Sequence, residues 1–189
     1  YGEIIHNKSV VDKMRAMGAT PVESLDGLSK GDRIVIRSHG APLAFYAQCE
    51  EKGITCIDAT CPFVSRIHLA VQQHYTEGYK IVIAGKPEHP EIIGIDGYCE
   101  NSADIVQTVM EAKNIGQYEK ILLVAQTTFV QAEYDQIKAE LVSHAQKLEV
   151  MESICNATKL RQDEARVLAK RCDAMFVGGG KHSSNTLKL

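Results

Sequence analysis

Lys80-Ile81-Val82-Ile83-Ala84-Gly85-Lys86-Pro87-Glu88-His89-Pro90-Glu91 is the stretch that decides the fold. Its first five residues are an Ile/Val-rich run that does not alternate with polar residues. Such a run predicts a strand covered on both faces, as in a parallel sheet. A glycine and two prolines stop it, and Pro90 is suited to the first turn of a helix. Between strand and helix stand a histidine and two carboxylates, with Pro87 and Pro90 stiffening the loop that carries them.

The same pattern recurs outward in both directions. Apolar runs at residues 3–6, 33–37, 55–57, 120–125, 174–177 and, weakly, 152–154 predict further strands. Helical periodicity places Val10, Val11, Met14 and Met17 on one face after a cap at Asn7, and Val64, Ile67, Val71 and Tyr75 on another behind Pro62. Ile105, Val106, Val109 and Met110 predict a third helix, and residues 129–147 and 159–172 two more. Alternating strand and helix argue for an α/β fold with parallel strands and right-handed crossovers.

Composition narrows the function. The 189 residues carry a net charge of −3, with 44% hydrophobic and 24% charged residues. This is an ordinary globular balance with no basic excess for a nucleic acid or an anionic membrane. No apolar run approaches the roughly 20 residues that cross a bilayer. The six cysteines, Cys49, Cys56, Cys61, Cys99, Cys155 and Cys172, are irregularly spaced without a CxxC pair. That predicts a reduced, cytoplasmic chain with mostly buried thiols. The chain opens at Tyr1 inside an apparent strand and ends at Leu189 inside an apparent helix, which predicts a piece of a longer protein.

Chemistry collects where the strands end. In order these ends read Ile5-His6-Asn7, Arg37-Ser38-His39-Gly40, Asp58-Ala59-Thr60-Cys61-Pro62, the His89 loop, Gln126-Thr127-Thr128, Cys155-Asn156-Ala157-Thr158, and a glycine run at residues 178–180 followed by Ser183-Ser184-Asn185. In open α/β sheets ligands bind outside the carboxyl ends of strands, where helix N-termini offer backbone N–H groups to anions. A compact anion, phosphate first, is the expected ligand. Ser, Thr and Asn at helix starts are ordinary caps. Caps do not require three histidines (His6, His39, His89) and two cysteines at separate strand ends. His68, His74 and His144 fall within helices and read as packing or surface residues. The Cys and His set suits either a tetrahedral zinc site or an iron–sulfur cluster on thiolates. A non-catalytic phosphate-binding module would leave Cys61 and Cys155 idle.

Taken in order, these motifs, together with Arg161-Gln162, make the chain resemble the 4-hydroxy-3-methylbut-2-enyl diphosphate reductase family, the LytB-type enzymes of the non-mevalonate isoprenoid pathway. The resemblance implies three small parallel-sheet αβα lobes around a central cavity. Here they would be a partial first lobe over residues 1–60, a complete second over 61–151 and the beginning of a third over 152–189. It implies a 4Fe-4S cluster held by Cys61, Cys155 and a third cysteine upstream of residue 1. It matches His6, His39, His89, Thr127, Ser183, Ser184 and Asn185 to substrate-binding positions. Glu91 matches the proton-delivering acid, with Thr127 as relay. Cys49, Cys56, Cys99 and Cys172 match no ligand position. The implied reaction is reductive dehydroxylation of the allylic diphosphate to isopentenyl and dimethylallyl diphosphate. Electrons would come from a donor such as ferredoxin or flavodoxin, and residues 1–189 alone would be inactive.

Overall fold

The computed structural model describes residues 1–5, 7–180 and 183–188. The chain opens with helix α1 (Lys8–Ala16), whose first turn is capped by the Asn7 side chain accepting from Val10 N–H. Strand β1 (Arg33–Ile36), helix α2 (Leu43–Lys52) and strand β2 (Thr55–Asp58) form a right-sized βαβ unit with a two-stranded parallel sheet. Helix α3 (Pro62–Thr76) has Pro62 in its first turn. It leads to strand β3 (Lys80–Ala84), helix α4 (Pro90–Asp96), strand β4 (Asp104–Val106) and the short helix α5 (Val109–Ala112). Strand β5 (Tyr118–Ala125), helix α6 (Gln131–Leu141) and strand β6 (Ala145–Val150) complete a second sheet. Helices α7 (Asn156–Ala169) and α8 (Ser184–Leu187) follow.

The second sheet is parallel throughout, in the order β4-β3-β5-β6. Its two central strands are buried on both faces, as their unbroken apolar runs require. Ile81, Ile83, Leu122 and Val124 pack with Ile67 and Val71 of α3 and Ile92 and Ile95 of α4. Val82, Ala84, Ile121 and Leu123 pack on the opposite face with Tyr134, Ile137 and Leu141 of α6. Each fully buried Ile or Leu contributes about 1.5–3 kcal/mol of transfer free energy, so this doubly covered pair of strands is the main source of cohesion.

Five elements differ from the sequence expectation. Ile105 and Val106 lie in strand β4 rather than in a helix. Only Val109–Ala112 is helical, started by Thr108 accepting from Glu111 N–H. Two apolar pairs four residues apart mimic a helical face when a turn joins a short strand to a short helix. The helix expected over 129–147 stops at Leu141, and its last part is β6. As a sheet edge β6 uses polar residues: Glu149 accepts from Tyr79 Oη at 2.5 Å and from Lys147 Nζ at 2.6 Å, and lies 3.1 Å from His74 Nε2. Those contacts tie it to α3 without an apolar run. Residues 3–5, 152–154 and 174–177 are not strands. Residues 152–154 lie beside the end of β5, but there the Ser153 hydroxyl accepts from Ala125 N–H at 2.6 Å and donates to the Ala125 carbonyl at 2.9 Å, so a side chain takes the place of a backbone ladder. His68 and His144 are buried packing residues. Among the described residues no helix is long and apolar enough to cross a membrane.

Cys99 lies wholly buried against the α3 and α4 side of the sheet, with its thiol donating to the Asp96 carbonyl at 3.2 Å. Replacing it by serine exchanges a core sulfur for a polar hydroxyl. Cys99→Ser is expected to lower unfolding free energy by about 1–2 kcal/mol in urea titrations. It should leave the iron content of the whole protein unchanged; lost iron would make Cys99 part of the metal chemistry.

Candidate active site

The strand order places the site. From β3 the chain steps outward to β4, then crosses back to lay β5 on the other side of β3. Connections therefore leave in opposite directions between β3 and β5, and a crevice opens beyond their carboxyl ends. The Gly85–Glu91 stretch leaves β3 into this crevice and Gln126-Thr127-Thr128 leaves β5 into it. The side chains that bridge it are Glu91 and Thr127. Thr127 N–H donates to Glu91 Oε1 at 2.5 Å, and Thr127 Oγ1 donates to Oε2 at 2.8 Å.

The other strand ends converge on the same hollow, a cavity of about 210 Å³. The first sheet contributes Ser38 and His39 from the end of β1, and Cys61 after β2. Asp58 shapes the turn before Cys61, accepting from Thr60 N–H at 2.9 Å, and Cys61 N–H donates to Ser38 carbonyl at 2.9 Å. His89 and Glu91 come from the α4 start, Cys155 from the α7 start, and Ser183, Ser184 and Asn185 from the α8 start. Cys155 N–H donates to Thr127 carbonyl at 2.9 Å, so both cysteine backbones hang on a neighbouring strand end. Of the residues singled out from sequence, the cavity gathers all but His6, which lies outside the described residues. A larger apolar hollow of about 480 Å³ flanks α1 and β1. Among the described residues no His, Cys, Asp or Glu lines it, and the candidate side chains gather on the smaller one.

The electrostatics of the cavity are specific. Glu91 keeps 2% of its surface exposed. Burial pushes its carboxyl above the ordinary value of 4.5, against the opposing pull of the two Thr127 donors and of the Lys188 ammonium. His89 caps α4: its Nδ1 accepts from Glu91 N–H at 3.1 Å, which leaves the proton of the neutral ring on Nε2. The His39 and His89 rings meet edge to face with centroids 5.3 Å apart.

Two residues that the sequence reading passed over hold the far wall. Thr128 Oγ1 lies 2.8 Å from Ser184 Oγ, and Gln126 Nε2 donates to Thr128 Oγ1 at 2.9 Å. Thr158 Oγ1 donates to Asn185 Oδ1 at 3.3 Å. Their signal was present in the Gln126-Thr127-Thr128 and Ala157-Thr158 motifs. It was masked because a helix-start threonine is equally well explained as a cap.

Cys61 and Cys155 are the residues here that suit a metal group. Both are free, partly exposed thiols at the N-caps of α3 and α7, and neither is used as a side-chain cap. Helix N-termini favour negative charge, which places two sulfurs where an anionic cluster is accommodated. Among the described residues no group of three or more His, Cys, Asp or Glu converges closely enough to hold a metal ion alone. Two thiols sharing one wall fit part of a larger, thiolate-bound cluster.

A raised folded-state pKa means that the folded chain binds the Glu91 proton more tightly than the unfolded chain. The stabilisation is fully present below pH 4.5 and is lost as pH rises through the folded-state value. Glu91→Gln keeps an acceptor for Thr127 N–H and a donor for Thr127 Oγ1 but cannot ionise. Its stability relative to the parent protein should therefore rise with pH above 4.5. Urea unfolding of both proteins across that range checks this, and a pH-independent difference would contradict the assignment.

The family model described as LytB protein matches residues 1–189. The chain is 47% identical over its whole length to 4-hydroxy-3-methylbut-2-enyl diphosphate reductase of Caldanaerobacter subterraneus, covering 66% of that protein. It is 42% identical to the Clostridioides difficile protein of the same name, covering 68%. The structure of the E-1-hydroxy-2-methyl-but-2-enyl-4-diphosphate reductase from Plasmodium falciparum superposes with a TM-score of 0.92 at 30% identity, over 99% of this chain and 60% of that one. The chain thus spans about two thirds of the length of the curated relatives it matches. A match over every residue, together with this superposition of the parallel-sheet α/β fold, places the chain in the LytB family.

Proposed function

We propose that the protein containing this chain carries out reductive dehydroxylation of 4-hydroxy-3-methylbut-2-enyl diphosphate. One allylic C–O bond breaks, two electrons and two protons enter, and water leaves with isopentenyl or dimethylallyl diphosphate as product. The observation that carries this reading is a buried carboxyl with a raised pKa and two free thiols on one small cavity, in a chain of the LytB family.

Cys61 and Cys155 would hold a 4Fe-4S cluster with a third thiolate from outside residues 1–189, and the cluster when bound would supply the electrons one at a time. His39, His89, Ser183, Ser184 and Asn185 bind the diphosphate through neutral or imidazole donors, and His6 joins them. Hydroxide is a poor leaving group, so the departing oxygen needs a proton. Burial raises the Glu91 pKa, which favours the protonated carboxyl. From Oε2 the proton passes to Thr127 Oγ1, whose own hydrogen turns toward the cavity. We divide the chain into a partial lobe over 1–60, a complete lobe over 61–151 and the start of a third over 152–189. A ferredoxin or flavodoxin is the electron donor, and the free state of all six thiols agrees with a reducing, cytoplasmic setting.

Anaerobic reconstitution with iron and sulfide tests this reading. The whole protein is expected to hold about four irons with matching acid-labile sulfide, and Cys61→Ser and Cys155→Ser to lose or degrade the cluster. Glu91→Gln should retain the iron and bind substrate, but lose turnover by about 10²–10⁴-fold. A fully retained cluster in Cys61→Ser would overturn the ligand assignment, and near-normal turnover of Glu91→Gln would overturn the acid.

A further inference from the structure

Two turns into α3 from Cys61, on the face that carries Val64 toward the cavity, lies His68. Its side chain keeps 3% of its surface exposed. The ring stacks on Tyr98 with centroids 4.3 Å apart and planes 18° apart. On its other sides it meets backbone. A methyl group on Gly40 would lie 2.4 Å from His68 Cε1, and one on Gly94 would lie 3.4 Å from Nε2 and 3.3 Å from the His39 carbonyl oxygen. Gly40 has φ of +77°, a left-handed turn that a side chain would strain. Two glycines have therefore brought two backbones against one imidazole: the loop that carries His39, and helix α4, which carries His89 and Glu91.

We propose that His68 is a positioning residue: its ring is the spacer that sets the distance between the His39 loop and α4, and so the separation of the His39 and His89 rings. A residue that merely filled the space would be apolar. Nε2 of His68 has no hydrogen-bond partner among the described residues, and leaving a buried polar atom unbonded costs stability. The width of a flat five-membered ring is what the slot uses. Burial lowers the imidazole pKa to about 4, against the opposing pull of the Asp58 carboxylate, so the ring is neutral at neutral pH. Position 68 takes no direct part in binding, since the cavity wall is made of other residues. The consequence for binding rests on the diphosphate reading above; the spacer role itself does not.

Three variants of the whole protein test the proposal: His68→Ala, which empties the slot, His68→Gln, which refills it with a neutral planar group, and Gly94→Ala. The last suits a helix better than glycine does, and its methyl group, 3.3 Å from the His39 carbonyl oxygen and 3.4 Å from His68 Nε2, presses on both sides of the slot. Crystal structures give the ring separation, and calorimetric titration gives the affinity for inorganic diphosphate. In His68→Ala and Gly94→Ala the two rings are expected to leave their edge-to-face contact at 5.3 Å, with diphosphate bound about tenfold more weakly. His68→Gln should recover most of that affinity, which a general loss of stability would not explain. Rings unmoved in both His68→Ala and Gly94→Ala would overturn the proposal. If His68→Ala does not fold, Gly94→Ala decides. A parent protein that binds no diphosphate would count against the diphosphate reading alone, and the ring separations would still decide the spacer role.

Discussion

The two hydrogen bonds from Thr127 to the Glu91 carboxyl join the ends of the two central strands at the point where the chain reverses its direction of travel across the sheet. Much else depends on that clamp. It fixes the start of α4 against the turn after β5. Through the Thr127 carbonyl it also receives the Cys155 backbone, so one residue registers β3, β5 and the entrance to α7. The clamp is also why a carboxyl can be buried here at all: two donors offset part of its desolvation, although burial still raises its pKa.

The first sheet has an apolar cluster of its own, separate from the two that cover the second sheet. Cys61 N–H donates to the Ser38 carbonyl and so ties the ends of β1 and β2 together, and the His39 and His89 rings meet from opposite units. The slot around His68 lies just behind that meeting point. The cavity is thus shaped by contacts between loops, and each loop is held by the strand or helix on either side of it. Precision comes from the sheets, although the reactive groups sit on turns.

Much of this was legible in the sequence where burial was complete. The runs at residues 80–84 and 120–125 are unbroken because both faces are covered, and they could be read without knowing their partners. β6 was illegible for the converse reason. Its side chains serve a polar cluster with Tyr79 and His74, and its alternation is weak. β4 was hidden by the apolar residues of α5 across a single turn. For the site, residue type at strand ends pointed to His39, Cys61, His89, Glu91, Thr127 and Cys155, because caps do not call for most of these. Thr128 and Thr158 did not stand out, since a threonine at a helix start has an innocent explanation. His68 did not stand out either: its role depends on two glycines 54 residues apart in sequence, Gly40 and Gly94, both of which touch its ring.

No lysine or arginine lines the small cavity among the described residues. Beside the Glu91 carboxyl and the two thiols, its polar wall consists of hydroxyls, imidazoles and the Asn185 amide. Long cationic side chains attract any anion and lose their grip as salt rises, because exposed charges are screened over about 8–10 Å in physiological buffers. Short neutral donors held by a parallel sheet act only at contact distance and in fixed directions. An anion lodged there would be read by the placement of its oxygens against these donors.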